Sequence, residues 1–373
     1  MPQIVSHRTV VRDGWHNMGS DLCFWKDTFW LVHARTSAHA APDGVLVVHR
    51  SADLRRWDEV AVLKTPNHLA DAKLAVTDDE LFVYTADSYF DMESGKERQV
   101  LHPYVWVSED GYRWSEPTRV YDRNYWMWRV RVHDGVFYSA EKGGELLSSP
   151  DGHNWTFISR IPDDEDKSPK DVKELRKIDH RTTPHFNEAD IIIRPDGEMW
   201  CVSRTKREPH QHSYLYTSKP PYKEWSCVDL ETMIHCPALC EFGGKVYVAG
   251  RRDPNTTWIP QHTPAGNTAI FLLERDGVTP VFALPSDGDA AYPGLIALEE
   301  DRLIIAYYSQ HAYLSGVIEA EKKRRHHMVR WGELRRQAPP PGYSRELSHH
   351  KTGPADIFVA EIDLAVVEDG SSF

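Results

Sequence analysis

Three stretches decide the fold: SADLRRW at 51–57, SEDGYRW at 108–114 and SPDGHNW at 149–155. They share the pattern S-x-D-x-x-x-W, and a fourth stretch, SKPPYKEW at 218–225, keeps the serine and tryptophan but lacks the aspartate. An aspartate in this position accepts hydrogen bonds from the backbone of its own turn, a glycine after it can take positive φ, and the tryptophan packs on the next strand. These are structural residues. They recur because one supersecondary unit recurs.

Around each motif the chain alternates short apolar runs with turn signals, which is strand patterning. Six inner hairpins stand out: DLCFWKDTFWLVHA, AKLAVTDDELFVYTA, VRVHDGVFYSA, ADIIIRPDGEMWCVSR, ALCEFGGKVYVAGR and GLIALEEDRLIIAYYS. Dividing 373 residues by six gives about 62 per unit, longer than common propeller repeats and enough for four strands with loops. The strand at 4–11, IVSHRTVV, has no partner upstream, and ADIFVAEIDLA at 355–365 has none downstream. Pairing the two removes the open edges of a linear array. The expectation is a single all-β domain over 1–373, a six-bladed β-propeller closed by its N- and C-terminal strands. Charged insertions are expected at about 161–184 and 319–353; the second begins with a basic run and is a candidate dimer arm or pocket lid.

Composition narrows the function. With 44 Lys+Arg against 56 Asp+Glu the chain carries a formal charge of −12, which argues against nucleic acid or an anionic membrane as partner. The five cysteines include no C-x-x-C pair and read as reduced thiols. The N-terminal residues lack a basic stretch followed by an apolar run, so the expected location is the cytoplasm. His210 and His212 have H-x-H spacing but no third ligand nearby, and they read as loop residues. No metal and no cofactor are expected.

In a propeller the inner strands open at a central funnel. Counting nine positions back from the hairpin residues Gly197, Gly244 and Asp301 reaches Glu188, His235 and Tyr292. The same count from Asp27, Asp79 and Gly135 reaches Met18, Ala70 and Trp126, with His16, Asn17, Asp71 and Arg129 close by. Period-2 alternation places Asp190 on the same face as Glu188. The excess of tryptophan, 13 in all, suits stacking on sugar rings, with Trp15, Trp126, Trp128 and Trp258 as candidates, and Trp126 is the one the count brings to the funnel.

The stretches NEADIIIRPDGEMWCVSR (187–204) and AYPGLIALEEDRLIIAYYS (291–309) resemble two sialidase (neuraminidase) blades, one opening on a glutamate and closing on an arginine, the other opening on a tyrosine. The turns described above resemble the Asp boxes of that superfamily, with one residue fewer between aspartate and tryptophan. The resemblance implies a propeller hydrolase in which Tyr292 is the nucleophile, Glu188 the base that ionises it, and Arg204 together with Arg251 or Arg252 binds a substrate carboxylate. A phenol near pKa 10 needs an adjacent base to attack, and arginine suits bidentate pairing with a carboxylate. The superfamily's first arginine is absent: the region reads WHNMGSDL, with His16 in its place. Asp43 and Asp71 are the candidates for the acid/base group, with His39 as a substitute. His235, Arg129, Trp126, His16 and Asp190 complete the expected pocket.

The function so implied is a retaining glycoside hydrolase acting on a terminal, acidic sugar. Three alternatives stand beside it. A polysaccharide lyase would use His16, His235, Tyr292 and Arg204. A five-bladed glycosidase would need three carboxylates and is disfavoured by six hairpins. A carbohydrate-binding propeller without catalysis would need repeated sites, whereas the inner-strand openings here differ strongly.

Overall fold

The computed structural model describes residues 2–37, 39, 43–91, 98–122, 125–141, 143–161, 186–204, 212–252, 268–298, 301–316 and 354–364. Most of the segment 161–184 and all of 319–353 lie outside them, as do His210 and Trp258. The described residues form six four-stranded antiparallel sheets. Blade I consists of His16–Trp25, Thr28–Thr36, Val45–Ser51 and Asp58–Leu63, and blade II of His68–Val76, Leu81–Asp91, Arg98–Ser108 and Thr118–Arg119. Blade III consists of Met127–His133, Val136–Glu141, Glu145–Ser149 and Thr156–Arg160, and blade IV of Ala189–Ile193, Met199–Arg204, Ser213–Ser218 and Ser226–Asp229. Blade V consists of His235–Phe242, Lys245–Arg251, Thr268–Glu274 and Gly277–Ala283. Blade VI takes Ala290–Leu298, Arg302–Ser309 and Asp356–Asp363 from the end of the chain and its outermost strand, Gln3–Val11, from the beginning. The first strands of neighbouring blades touch all the way round, blade VI back to blade I. This is a six-bladed β-propeller, closed by the pairing expected of the two terminal strands.

Apolar clusters fill the spaces between blades, such as Phe82, Tyr84, Val130, Phe137 and Leu147 between blades II and III. Each S-x-D-x-x-x-W turn joins the third and fourth strands of its blade. Asp53, Asp110 and Asp151 each accept two backbone N–H bonds from the residues two and three further on, at 2.8–3.1 Å. The turn also docks on the preceding blade: a Cβ at Gly111, where φ is +77°, would stand 1.9 Å from the Trp30 ring of blade I. Gly111→Ala combines a left-handed backbone with a steric clash against a buried indole, and it should cost about 2–4 kcal/mol of stability. Thermal unfolding of the variant measures it; a midpoint equal to wild type would contradict this docking.

Blade I buries an imidazole pair. His33 Nδ1 lies 3.1 Å from the Ala34 carbonyl oxygen and its Nε2 lies 3.0 Å from His49 Nε2. One tautomer satisfies all of this: Nδ1–H of His33 donates to Ala34, and His49 donates to the bare Nε2 of His33. Burial, then the neighbouring His49, pushes His33 well below its ordinary range, and burial pushes His49 down to about 4. Both folded values lie below the unfolded 6.5, so the folded state binds fewer protons than the unfolded one. The stabilisation is present above pH 6.5 and is lost as the pH falls towards 4. Unfolding scans at pH 7 and pH 4.5 should show a loss of about 2 kcal/mol or more attributable to the pair. The loss should shrink in His49→Gln, and an unchanged acid sensitivity in that variant would refute the assignment.

Candidate active site

The inner strands do not enter the funnel regularly. Five of them carry a register shift at the same place: Met18/Asp21, Ala70/Lys73, Met127/Arg129, His235/Ala238 and Ala291/Gly294. At four of the shifts a residue turns left-handed: Gly19 (φ 63°), Asp71 (53°), Cys236 (56°) and Tyr292 (43°). A bulge re-aims the side chain that sits in it. Left-handed backbone at Asp71, Cys236 and Tyr292 costs energy that the surrounding packing must hold in place, a pattern typical of functional sites. Ser20 of blade I donates to the Tyr292 carbonyl at 2.9 Å, and Gly19 packs so closely on Asp71 that a Cβ would stand 2.7 Å from its Oδ1.

Glu188 is the hub. Its Oε1 accepts from the Tyr292 hydroxyl at 2.7 Å and from Arg204 at 2.8 Å; its Oε2 accepts from the Cys236 amide at 3.1 Å and the Cys236 thiol at 3.0 Å. Burial works to raise its pKa, but the Arg204 guanidinium, the hydrogen bonds and the field of His235 outweigh burial, and the carboxylate is held below its ordinary range. Burial, then Asp71, Cys236 and Glu188, pushes the Tyr292 hydroxyl up. The resting arrangement is therefore an ionised base bonded to a neutral phenol. Arg251 closes its hairpin as Arg204 does, facing His235 in register, and donates to the Ala290 carbonyl at 3.3 Å. Burial lowers its pKa, yet the acidic groups around it carry the guanidinium above its ordinary range.

Asp71 is 5% exposed, and its Oδ1 has no hydrogen-bond partner. Burial pushes its pKa up to about 7; Lys73 opposes the rise, while Glu188 and Asp289 add to it. Asp43, the other acid/base candidate, is exposed and accepts from the Thr36 hydroxyl at 2.8 Å and the Ser37 amide at 3.1 Å. It holds a turn.

Two expected pocket residues belong to the wall instead. Asp190 shares the inward face but is taken up by Arg131 at 2.8 Å and the Leu239 amide at 2.6 Å. Arg129 donates to Asp21 at 2.7 Å, to the Pro237 carbonyl at 2.9 Å and to the Pro293 carbonyl. It ties blade III to blades I, V and VI across the axis, which leaves it no free edge for a ligand. Trp126 is half-buried and starts an aromatic ladder: Trp126 on Trp128 at 5.2 Å, Trp128 on Tyr292 at 6.2 Å, Tyr292 on Tyr308 at 6.3 Å between centroids.

Where the first arginine was missed, His16 Nε2 lies 3.1 Å and His39 Nδ1 2.5 Å from Asp289 Oδ2, and Tyr308 donates to Asp289 Oδ1 at 2.9 Å. One ligand atom from each of His16, His39 and Asp289 lies within 4.8 Å of the other two, and among the described residues these three are the group able to hold a metal ion. Their mutual contacts equally read as two His–Asp hydrogen bonds. His212 contacts Asp229 at 3.0 Å at the edge of blade IV. Sequence reasoning missed Cys236, Asp289, Tyr308 and Lys73, and it named Trp128 without placing it at the funnel. A count one position shorter would have reached Cys236 and Asp71.

The arrangement resembles solved glycosidase propellers in shape. Trypanosoma rangeli sialidase matches with a TM-score of 0.56 and 12% identity over 86% of this chain. A phage phi92 endosialidase matches with a TM-score of 0.60 and 10% identity over 99% of this chain and 70% of its own. A Bombyx mori GH32 β-fructofuranosidase matches with a TM-score of 0.50 and 11% identity over 80% of this chain and 76% of its own. The chain spans only 59% of the trypanosomal sialidase. No family model matches the chain, and no curated protein is similar to it. At these identities the likeness shows the fold, which is that of the sialidase-like six-bladed propellers.

Proposed function

We propose that this sialidase-like propeller is a retaining glycoside hydrolase that cleaves a terminal sugar bearing a carboxylate. The observation that carries the reading is the Tyr292 hydroxyl donating at 2.7 Å to a buried, ionised Glu188. In the first step the Tyr292 oxygen attacks the anomeric carbon and its proton passes to Glu188. The bond to the leaving oxygen breaks, and that oxygen takes the proton of Asp71. In the second step water gives a proton to Asp71 and attacks the same carbon; Tyr292 departs and recovers its proton from Glu188. Inversion twice is retention.

A neutral phenol suits a sugar whose anomeric carbon carries a carboxylate, because an anionic nucleophile would be repelled. Arg204 and Arg251, which end the second strands of blades IV and V, supply the positive edge for that carboxylate. His16 stands where a further arginine would be expected. An imidazole bonded to Asp289 at 3.1 Å in place of a guanidinium fork points to a sugar acid other than sialic acid itself. Trp126 offers an apolar face for the leaving group.

The test uses 2,3-difluoro derivatives of sialic acid and of 2-keto-3-deoxy-nononic acid; a Trypanosoma rangeli sialidase has been solved with the first of these as a covalent intermediate. A mass increment on the peptide carrying Tyr292 supports the reading. Turnover that yields an ultraviolet-absorbing unsaturated sugar instead of a reducing sugar would replace it with a lyase in which His16 or Tyr292 takes the proton.

A further inference from the structure

Most charged groups at the centre of the ring pair with one another, and Arg251 donates to the Ala290 carbonyl. Asp21 takes Arg129 at 2.7 Å and the Leu74 amide at 2.9 Å. Asp190 takes Arg131, Glu188 takes Arg204, and Asp289 takes His16 and His39. What remains is Asp71, whose Oδ1 is unpartnered, and Lys73, whose Nζ is unpartnered. Lys73 is 2% exposed and lies two residues beyond Asp71 on the blade II strand, past the bulge. Its ammonium stands 5.1 Å from the centroid of the Tyr292 ring. A buried ammonium without a hydrogen bond is costly, and folded proteins seldom keep one without a use for its charge.

We propose that Lys73 is a positioning residue for the acid/base step, its ammonium set against the Tyr292 ring and balancing the carboxylate of Asp71 each time that group loses its proton. The proposal rests on the hydrolase reading above. When Asp71 gives its proton to the leaving oxygen, a new negative charge appears in a buried site that already faces Glu188 from blade IV and Asp289 from blade VI. Asp21 from blade I, Arg129 from blade III and Cys236 from blade V complete the titratable and charged groups around Lys73. Arg129 and Arg204 are already bonded to carboxylates and Arg251 donates to the Ala290 carbonyl, whereas Lys73 is the cation whose field acts on Asp71, so it is placed to oppose the new charge. The same ammonium favours electron density building on the Tyr292 ring as its hydroxyl proton leaves for Glu188. In the second step the Asp71 carboxylate must persist long enough to take a proton from water, and the ammonium stabilises that form too.

Lys73→Met keeps the length of the side chain and removes its charge. On an aryl glycoside of a sugar acid that the wild type cleaves, Asp71 should hold its proton to higher pH. The alkaline limb of kcat/KM should move up by about one pH unit. The second step should slow, so kcat and KM should fall together, and glycosyl-enzyme should accumulate as a burst. A uniform loss of activity with the limb unmoved would mean that Lys73 only packs, and the proposal fails.

A second measurement needs no substrate. Thermal unfolding of wild type, Asp71→Asn, Lys73→Met and the double variant from pH 5 to 9 closes a double-mutant cycle. Coupling that grows between pH 6 and 8 supports the pairing; additivity at every pH overturns it. Coupling in a protein that cleaves no glycoside would overturn the hydrolase reading, and with it the acid/base role, while the pairing itself would stand measured.

Discussion

Tyr292→Phe should lower kcat/KM by at least about 10³-fold, because it deletes the attacking atom and leaves every other contact of the ring in place. The fold should survive. Glu188 loses one of four hydrogen bonds, at a cost of about 1 kcal/mol, and keeps Arg204 and both Cys236 donors. The phenyl ring still fills the ladder between Trp128 and Tyr308. Mass spectrometry after treatment with a difluoro sugar acid should show labelling in wild type and none in the variant. Glu188→Gln should be damaging for a different reason. It removes the base and leaves Arg204 facing a neutral amide in a buried site, so a fall in unfolding temperature should accompany the fall in rate. A Tyr292→Phe enzyme that turns over at the wild-type rate would end the nucleophile assignment.

Asp71→Asn should have the next largest effect, and it should run in opposite directions on rate and stability. As general acid Asp71 works only while protonated. With its pKa pushed up to about 7 by burial, wild-type kcat/KM should decline above that pH. The asparagine variant should lose this limb and fall by about 10²–10⁴-fold on alkyl glycosides, and less on aryl glycosides whose leaving group needs no proton. The folded pKa lies above the unfolded 3.8, so the folded state binds more protons between those values. The stabilisation from this group is complete below pH 4 and lost as the pH rises through about 7. Asparagine cannot ionise and tolerates the left-handed backbone that Asp71 adopts. At pH 8 the variant should therefore unfold later than wild type, by about 1–3 kcal/mol. Denaturant curves at pH 5 and pH 8 check the sign; a variant less stable than wild type at pH 8 would remove Asp71 from the acid/base role.

The fold was legible because its signals are local. A turn aspartate binds the amides beside it, as Asp151 does, so its spacing survives whatever the blades do, and alternation marks each hairpin in the same way. Glu188, His235 and Tyr292 were reachable by an offset because they sit a fixed distance from a hairpin turn. A fixed count cannot follow hairpins whose strands and turns differ in length, which is why it named Ala70 and His235 where the left-handed residues are Asp71 and Cys236. Alternation put Asp190 inward, and the count brought Arg129 close, without saying at what depth. One layer below the rim, inward-facing charges neutralise one another within the wall, and only distances between blades reveal it. Lys73 gave no signal at all, since a lysine in an apolar run reads as a break in the pattern rather than as a charge without a partner.

The strand that seals blade VI joins Gln3 to Asp363 in register, so the first and last described parts of the chain depend on each other. During synthesis Gln3–Val11 has no mate until the final strand has emerged, and five completed blades must wait as an open arc. Pairing over so long a separation is slow and leaves strand edges uncovered in the meantime. The molecule's most vulnerable moment is therefore the interval before Asp356–Asp363 has emerged. Nascent chains stalled before residue 356 should be cut by protease within Gln3–Val11, and full-length released chains should resist; equal resistance in both would mean that the arc is stable without its clasp.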